Sequence, residues 1–125
     1  MNCWEMLGAL IAWETFDPKL SAEHFLTVAA YNLQHPAQFT DEVMVGLREA
    51  VVDYLDHGVS PHFLRQRAAR AYEGKRRVLK PEAERHPVLR AWPLTIASVY
   101  LPDQPEGAAE RVRLWGEAIR RTFNA

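Results

Sequence analysis

His24-Phe25-Leu26-Thr27-Val28-Ala29-Ala30-Tyr31-Asn32-Leu33-Gln34-His35-Pro36 reads as a helix followed by its stop signal. Apolar residues fill it without an internal glycine or proline, and Pro36 disfavours α geometry at His35, so the helix closes there. A period of 3.6 residues puts His24, Val28, Tyr31 and His35 on one stripe. An aromatic hydroxyl between two imidazoles is either a metal- or proton-handling site or the polar seam of a core helix.

Upstream, Asp17 or Ser21 is the N-cap of a helix running from Pro18 to Gln34, with Leu20, Phe25, Val28 and Leu33 among its apolar positions. Downstream, a second helix follows Thr40 or Asp41. It carries Val43, Val45, Leu47, Val51, Tyr54 and Leu55 and stops at Gly58, a residue suited to the left-handed position after a helix. A third has Ser60 as N-cap and Pro61 in its first turn, continues through Phe63, Leu64, Ala68 and Tyr72, and ends at Gly74. From Lys75 to Pro93 the prolines at 81, 87 and 93 predict a wandering connection with one short turn of helix. Thr95 to Tyr100 reads as a short helix, although its β-branched content also suits a strand. The last helix spans about Glu106 to Phe123, with Val112, Trp115, Ile119 and Phe123 at helical spacing.

The expected fold is therefore all-α, a single domain over residues 1–125 built as a bundle of four to five helices. Residues 1–16 form an irregular N-terminal segment, residues 17–125 the bundle, and a proline-rich loop precedes the last helices. A chain of 125 residues, 48% hydrophobic and 25% charged, has enough apolar surface for one modest core.

The net charge of −1 gives no long-range field to gather nucleic acid or an anionic membrane. The apolar stretch Leu7 to Trp13 is too short to span a bilayer and has no basic residues before it, unlike a signal peptide. The single cysteine, Cys3, has no disulfide partner within the chain, which fits a reducing cytoplasm. A cytoplasmic protein without membrane or nucleic-acid partners is expected. Amphipathic helices with large apolar faces also allow a homodimer.

The basic segment Pro61 to Lys80 carries Arg65, Arg67, Arg70, Lys75, Arg76, Arg77 and Lys80 against one acid, Glu73. Its arginines spread around the third helix, and it lacks the aromatic pattern of single-strand binders. A solvated face is the expected reading, and a polyanion-binding module the alternative.

The segment from His24 to Val28, then Tyr31 and Leu33-Gln34-His35-Pro36, resembles the hallmark of a bacterial family of uncharacterised proteins, domain of unknown function 5946. Pro93-Leu94-Thr95-Ile96-Ala97-Ser98-Val99, followed by Val112-Arg113-Leu114-Trp115, resembles its closing region. The resemblance implies an N-terminal metal knuckle, Cys-Pro-x-Cys-Gly, with a further cysteine later, and hence a structural zinc or similar metal. Here Cys3 matches the first cysteine, Trp4 replaces the proline and Met6 the second cysteine. Ala29 stands where the resemblance implies an acidic residue in the histidine helix. Metal-binding ancestry is implied more than a metal site.

Structural zinc wants four ligands, and one thiolate with a thioether serves it poorly. Cys3 and Met6 with an imidazole suit copper(I) better. Along one helix, His24 and His35 lie about 16 Å apart, and an imidazole reaches a metal only about 6 Å from its Cα, so the two cannot share an ion. The metal candidates are thus Cys3 and His24, with zinc ahead of copper and no cofactor an equal outcome; His24 reads more readily as a polar core or boundary residue than as a ligand. His35 suits the negative end of its helix.

No serine elbow, phosphate-cradling glycine loop or His-Glu-x-x-His helix is present, so no enzyme is identified. The catalytic candidates are Glu23, Tyr31 and His35, which can do acid-base work if they line a pocket. Trp4, Trp13 and Tyr31 are the candidate walls of a small-ligand pocket around His24, Tyr31 and His35, with Trp92 and Trp115 as further aromatics. The leading expectation is a structural or binding module of metal-knuckle ancestry.

Overall fold

The computed structural model describes residues 1–72, 77–87 and 90–123. Among them are seven α-helices and no strand: α1 Cys3–Ala12, α2 Pro18–Ala22, α3 His24–Gln34, α4 Asp41–His57, α5 Pro61–Ala71, α6 Ile96–Val99 and α7 Ala108–Arg120. The fold is all-α. Five of the seven helices have ten or more residues; α1 and the separation of α2 from α3 are the additions to the expected set, while α6 answers the short helix expected at Thr95 to Tyr100. Contacts gather the chain into two compact units, one of Met1–Gln34 with Ala91–Ala125, the other of His35–Arg90.

In the first unit, α3 and α2 pack on α7, α6 packs on both α1 and α7, and α1 continues into a 3-10 turn at Trp13–Thr15. Ala108, Val112, Trp115 and Ile119 recur at helical spacing on α7 and are at most 1% exposed. Leu10, Leu20, Leu26, Ile96 and Val99, from the other helices of this unit, are buried to the same degree. Of the spacing predicted for the last helix, Val112, Trp115 and Ile119 hold, while the helix ends are drawn in to Ala108 and Arg120 and leave Phe123 beyond it, partly covered.

Two N-terminal expectations are corrected. Residues 1–16 are not irregular: α1 begins at Cys3 because Asn2 and Glu5 cap it reciprocally. The helix expected from Pro18 to Gln34 is two helices. Asp17 caps α2, its carboxylate accepting from Leu20 N–H at 3.1 Å. At Glu23 the backbone takes a 3-10-type bond to the Leu20 carbonyl and the helix breaks. The buried side of α3 is carried by Leu26, Ala29, Ala30 and Leu33, while Phe25 and Val28 are only partly covered. The small residues explain the choice, since Gly116 of α7 lets the Leu26 side chain approach its backbone closely.

The second unit follows its caps. Thr40 accepts from Val43 N–H at 3.3 Å and opens α4, and Gly58 closes it at φ +64°. Ser60 accepts from Phe63 N–H at 3.2 Å and opens α5, with Pro61 in its first turn. Gly74, the expected end of that helix, lies outside the described residues. The connection that follows contains one 3-10 turn, Glu82–Glu84, and an isolated antiparallel bridge between Phe39 and Leu79.

Candidate functional site

The first turn of α1 carries the chain's one thiol and its most exposed tryptophan. Asn2 Oδ1 accepts from Glu5 N–H at 2.8 Å, and Glu5 Oε1 accepts from Asn2 N–H at 3.2 Å. With its start fixed, α1 buries Leu7 and Leu10 and leaves Cys3 exposed. Trp4 is 71% exposed, yet its ring centroid lies 6.2 Å from that of Tyr31, with the planes tilted by 60°. Such a tilted geometry suits an aromatic pair.

Tyr31 itself is buried on α3. Burial raises its pKa above the usual 10.0, and the nearby charge of Cys3 raises it further. Below about pH 10 the phenol is neutral whether the chain is folded or not; above that, the unfolded state ionises first and binds fewer protons. Stability contributed by neutral Tyr31 is therefore complete below its unfolded pKa and is lost as pH rises through the raised folded value. Denaturant melts across the alkaline range should show a shallower loss of stability for Tyr31→Phe than for the wild type. Equal slopes would refute the assignment.

His24 opens α3 and faces another partner. Its Nδ1 is 2.9 Å from the carboxylate of Glu14, on the 3-10 turn after α1, with the imidazole 46% and the carboxylate 12% exposed. Tyr31 lies seven residues beyond His24, about 10 Å along the α3 axis. Cys3 therefore falls within electrostatic reach of the Tyr31 end of α3, while His24 is held by Glu14 at the other. Among the described residues no group of three or more His, Cys, Asp or Glu is arranged to hold a metal ion.

Glu23 caps the end of α2, and its Oε2 lies 3.7 Å from Arg113, which is also 3.6 Å from Glu117. His35 precedes the 3-10 turn Pro36–Gln38 and belongs to the second unit. The tryptophans are dispersed: Trp4 meets Tyr31, Trp13 meets Tyr100 at 4.8 Å, and Trp115 is fully buried. In the basic segment, Arg67 pairs with Asp53 at 2.7 Å and Lys80 lies 3.8 Å from Asp41. Lys75, Arg76 and Glu73 lie outside the described residues.

Sequence reasoning missed three polar residues. Gln34 accepts from Trp115 Nε1–H at 3.1 Å and donates to the Leu94 carbonyl at 2.7 Å, so one buried amide joins α3, α7 and the segment before α6. Arg111 donates to the carbonyls of Val99 at 2.9 Å, Glu106 at 2.8 Å and Gln104 at 2.6 Å, binding the connection between α6 and α7. Glu14 fixes His24. Nothing in the periodicity marks them, because each acts on a partner distant in sequence or on backbone.

Together these features define a small all-α protein whose N-terminal helix is closed by side-chain caps and presents a thiol and an indole outward. No helix among the described residues is long and apolar enough to cross a membrane. The chain belongs to the family of unknown function DUF5946, whose model matches residues 1–124. No curated protein and no solved structure matches it.

Proposed function

We propose that the protein is a non-catalytic binding module in which the capped helix α1 does the structural work that the resemblance assigns to a metal knuckle. The observation that carries this reading is the reciprocal Asn2–Glu5 cap, which starts a helix at Cys3. A knuckle needs a tight turn with two thiolates; here residues 3 to 6 are helical, and Met6 stands in for a thiolate. Leu7 and Leu10 then anchor α1 by burial, which no metal is required to supply.

The binding face on this reading is the outward side of α1 around Trp4. Exposed tryptophan is costly in water and is enriched where proteins meet partners. Support for a non-catalytic role comes from His24 being engaged by the Glu14 carboxylate at 2.9 Å, while the charge of Cys3 acts on Tyr31. A thermal melt of the purified chain in excess chelator tests the reading. Unchanged melting supports it, and unfolding on chelation would remove it.

A further inference from the structure

The second unit carries a groove of about 300 Å³ lined by Pro36, Phe39, Asp41, Met44, Val45, Arg48 and Lys80. Its construction follows from the local folding. Asp41, Met44, Val45 and Arg48 recur at helical spacing and therefore form one face of α4. Opposite them, the backbone of residues 78–80 is clamped to residues 38–40: Thr40 N–H donates to the Val78 carbonyl at 3.1 Å and Lys80 N–H to the Gln38 carbonyl at 2.8 Å. That clamp sets Lys80 beside the first turn of α4, 3.8 Å from Asp41, with Phe39 among the residues lining the groove.

Its charge is specific. Arg48 forms no ion pair with another described residue. Lys80 lies 3.8 Å from Asp41, whose carboxylate is fully exposed to water, so that pair is screened and leaves the ammonium available. Two cations against one acid leave a single positive charge, which matches a monoanion better than a dianion. The remaining lining is apolar: Met44 is buried, Phe39 half-buried, and Val45 50% exposed. The volume falls at the small end of the range for ligand sites.

We propose that this groove binds a small amphipathic carboxylic acid, with its carboxylate between Arg48 and Lys80 and its apolar body against Phe39, Met44 and Val45. A guanidinium offers a fork of donors that fits a carboxylate in bidentate fashion, and Lys80 adds a point charge. The apolar body removes Val45 and Phe39 from water. The inference stands on the second unit alone and does not depend on the metal-free reading of α1.

The test is an amide chemical-shift titration of the full chain at low ionic strength with octanoate, octanol and acetate as probes, since salt screens exposed charges. Octanoate should shift Phe39, Met44, Val45 and Arg48 saturably, while octanol and acetate, each lacking one half of the recognition, bind more weakly. Arg48→Gln should weaken octanoate by about fivefold or more and leave octanol unchanged. Lys80→Gln should weaken octanoate in the same sense. Arg48 lies outside the buried core, so its replacement leaves the core intact, and the spectrum of the free variant verifies this. Equal affinity for octanoate and octanol, an unaltered octanoate affinity in Arg48→Gln, or shifts confined to other residues would overturn the proposal.

Discussion

Replacing Trp115 by alanine is expected to destabilise the protein by about 3–5 kcal/mol, among the largest losses a single core truncation causes. Trp115 is fully buried on α7, where α3 and α6 both pack. Two costs combine. Removal of the indole leaves a cavity in the closely packed core that its neighbours can only partly fill, and it deprives Gln34 Oε1 of its 3.1 Å donor. Gln34 is only 9% exposed, so water reaches the abandoned acceptor poorly. Trp115→Phe separates the two contributions: it keeps most of the ring volume and loses the hydrogen bond, for an expected loss of about 1–3 kcal/mol. Denaturant unfolding of both variants measures this, and a loss below about 1 kcal/mol for Trp115→Ala would show that the α3–α7 core is misassigned.

Gly116→Ala should also destabilise, although alanine favours helix over glycine by about 1 kcal/mol. A Cβ at Gly116 would lie 2.6 Å from Leu26 Cδ1, 2.7 Å from Cδ2 and 2.8 Å from Cγ. Leu26 is fully buried and cannot swing its isobutyl group into solvent, so α3 and α7 must move apart. Overpacking of this kind costs about 1–3 kcal/mol, which exceeds or cancels the propensity gain. Gly8 provides the contrast. It lies within α1, exposed, and a methyl group added there would meet nothing within 4 Å, so Gly8→Ala should stabilise by up to about 1 kcal/mol. Opposite signs at two helical glycines are the expected result, and a stabilising Gly116→Ala would contradict the close crossing.

Elements bounded by local chemistry were legible in the sequence. Thr40, Gly58, Ser60 and Pro61 act on backbone groups within a few residues of themselves, so the caps of α4 and α5 follow from residue type alone. The Val112, Trp115 and Ile119 spacing announced the buried face of α7 for the same reason. What depends on distant partners was not legible. The break at Glu23 falls where no glycine or proline stands, and Glu23 there faces Arg113, ninety residues away in sequence. The choice of Leu26 and Ala29 over Phe25 and Val28 as the covered side of α3 depends on Gly116, another distant residue. At the N-terminus the Asn2–Glu5 cap is itself local, but it brackets a cysteine whose type alone points to metal chemistry instead of a helix start.

The candidate site shows the same division. Pairing of Tyr31 with an N-terminal aromatic could not be read from helical spacing, because Trp4 reaches it from α1. The sequence presents His24 as a boundary residue or a ligand inside a helix starting at Pro18; it opens α3 instead, with its Nδ1 2.9 Å from the Glu14 carboxylate, a partner that helical spacing does not point to. On the reading proposed above, a helix capped at its start and anchored by Leu7 and Leu10 takes the place of a metal knuckle.

The metal content of the purified protein, measured with its thermal melt before and after exhaustive chelation, tests that claim most directly. A helix held by its cap and by burial should show well below one equivalent of zinc or copper per chain and a melting temperature unchanged by chelator. About one tightly held equivalent, lost together with folding stability on Cys3→Ala or His24→Ala, would contradict it.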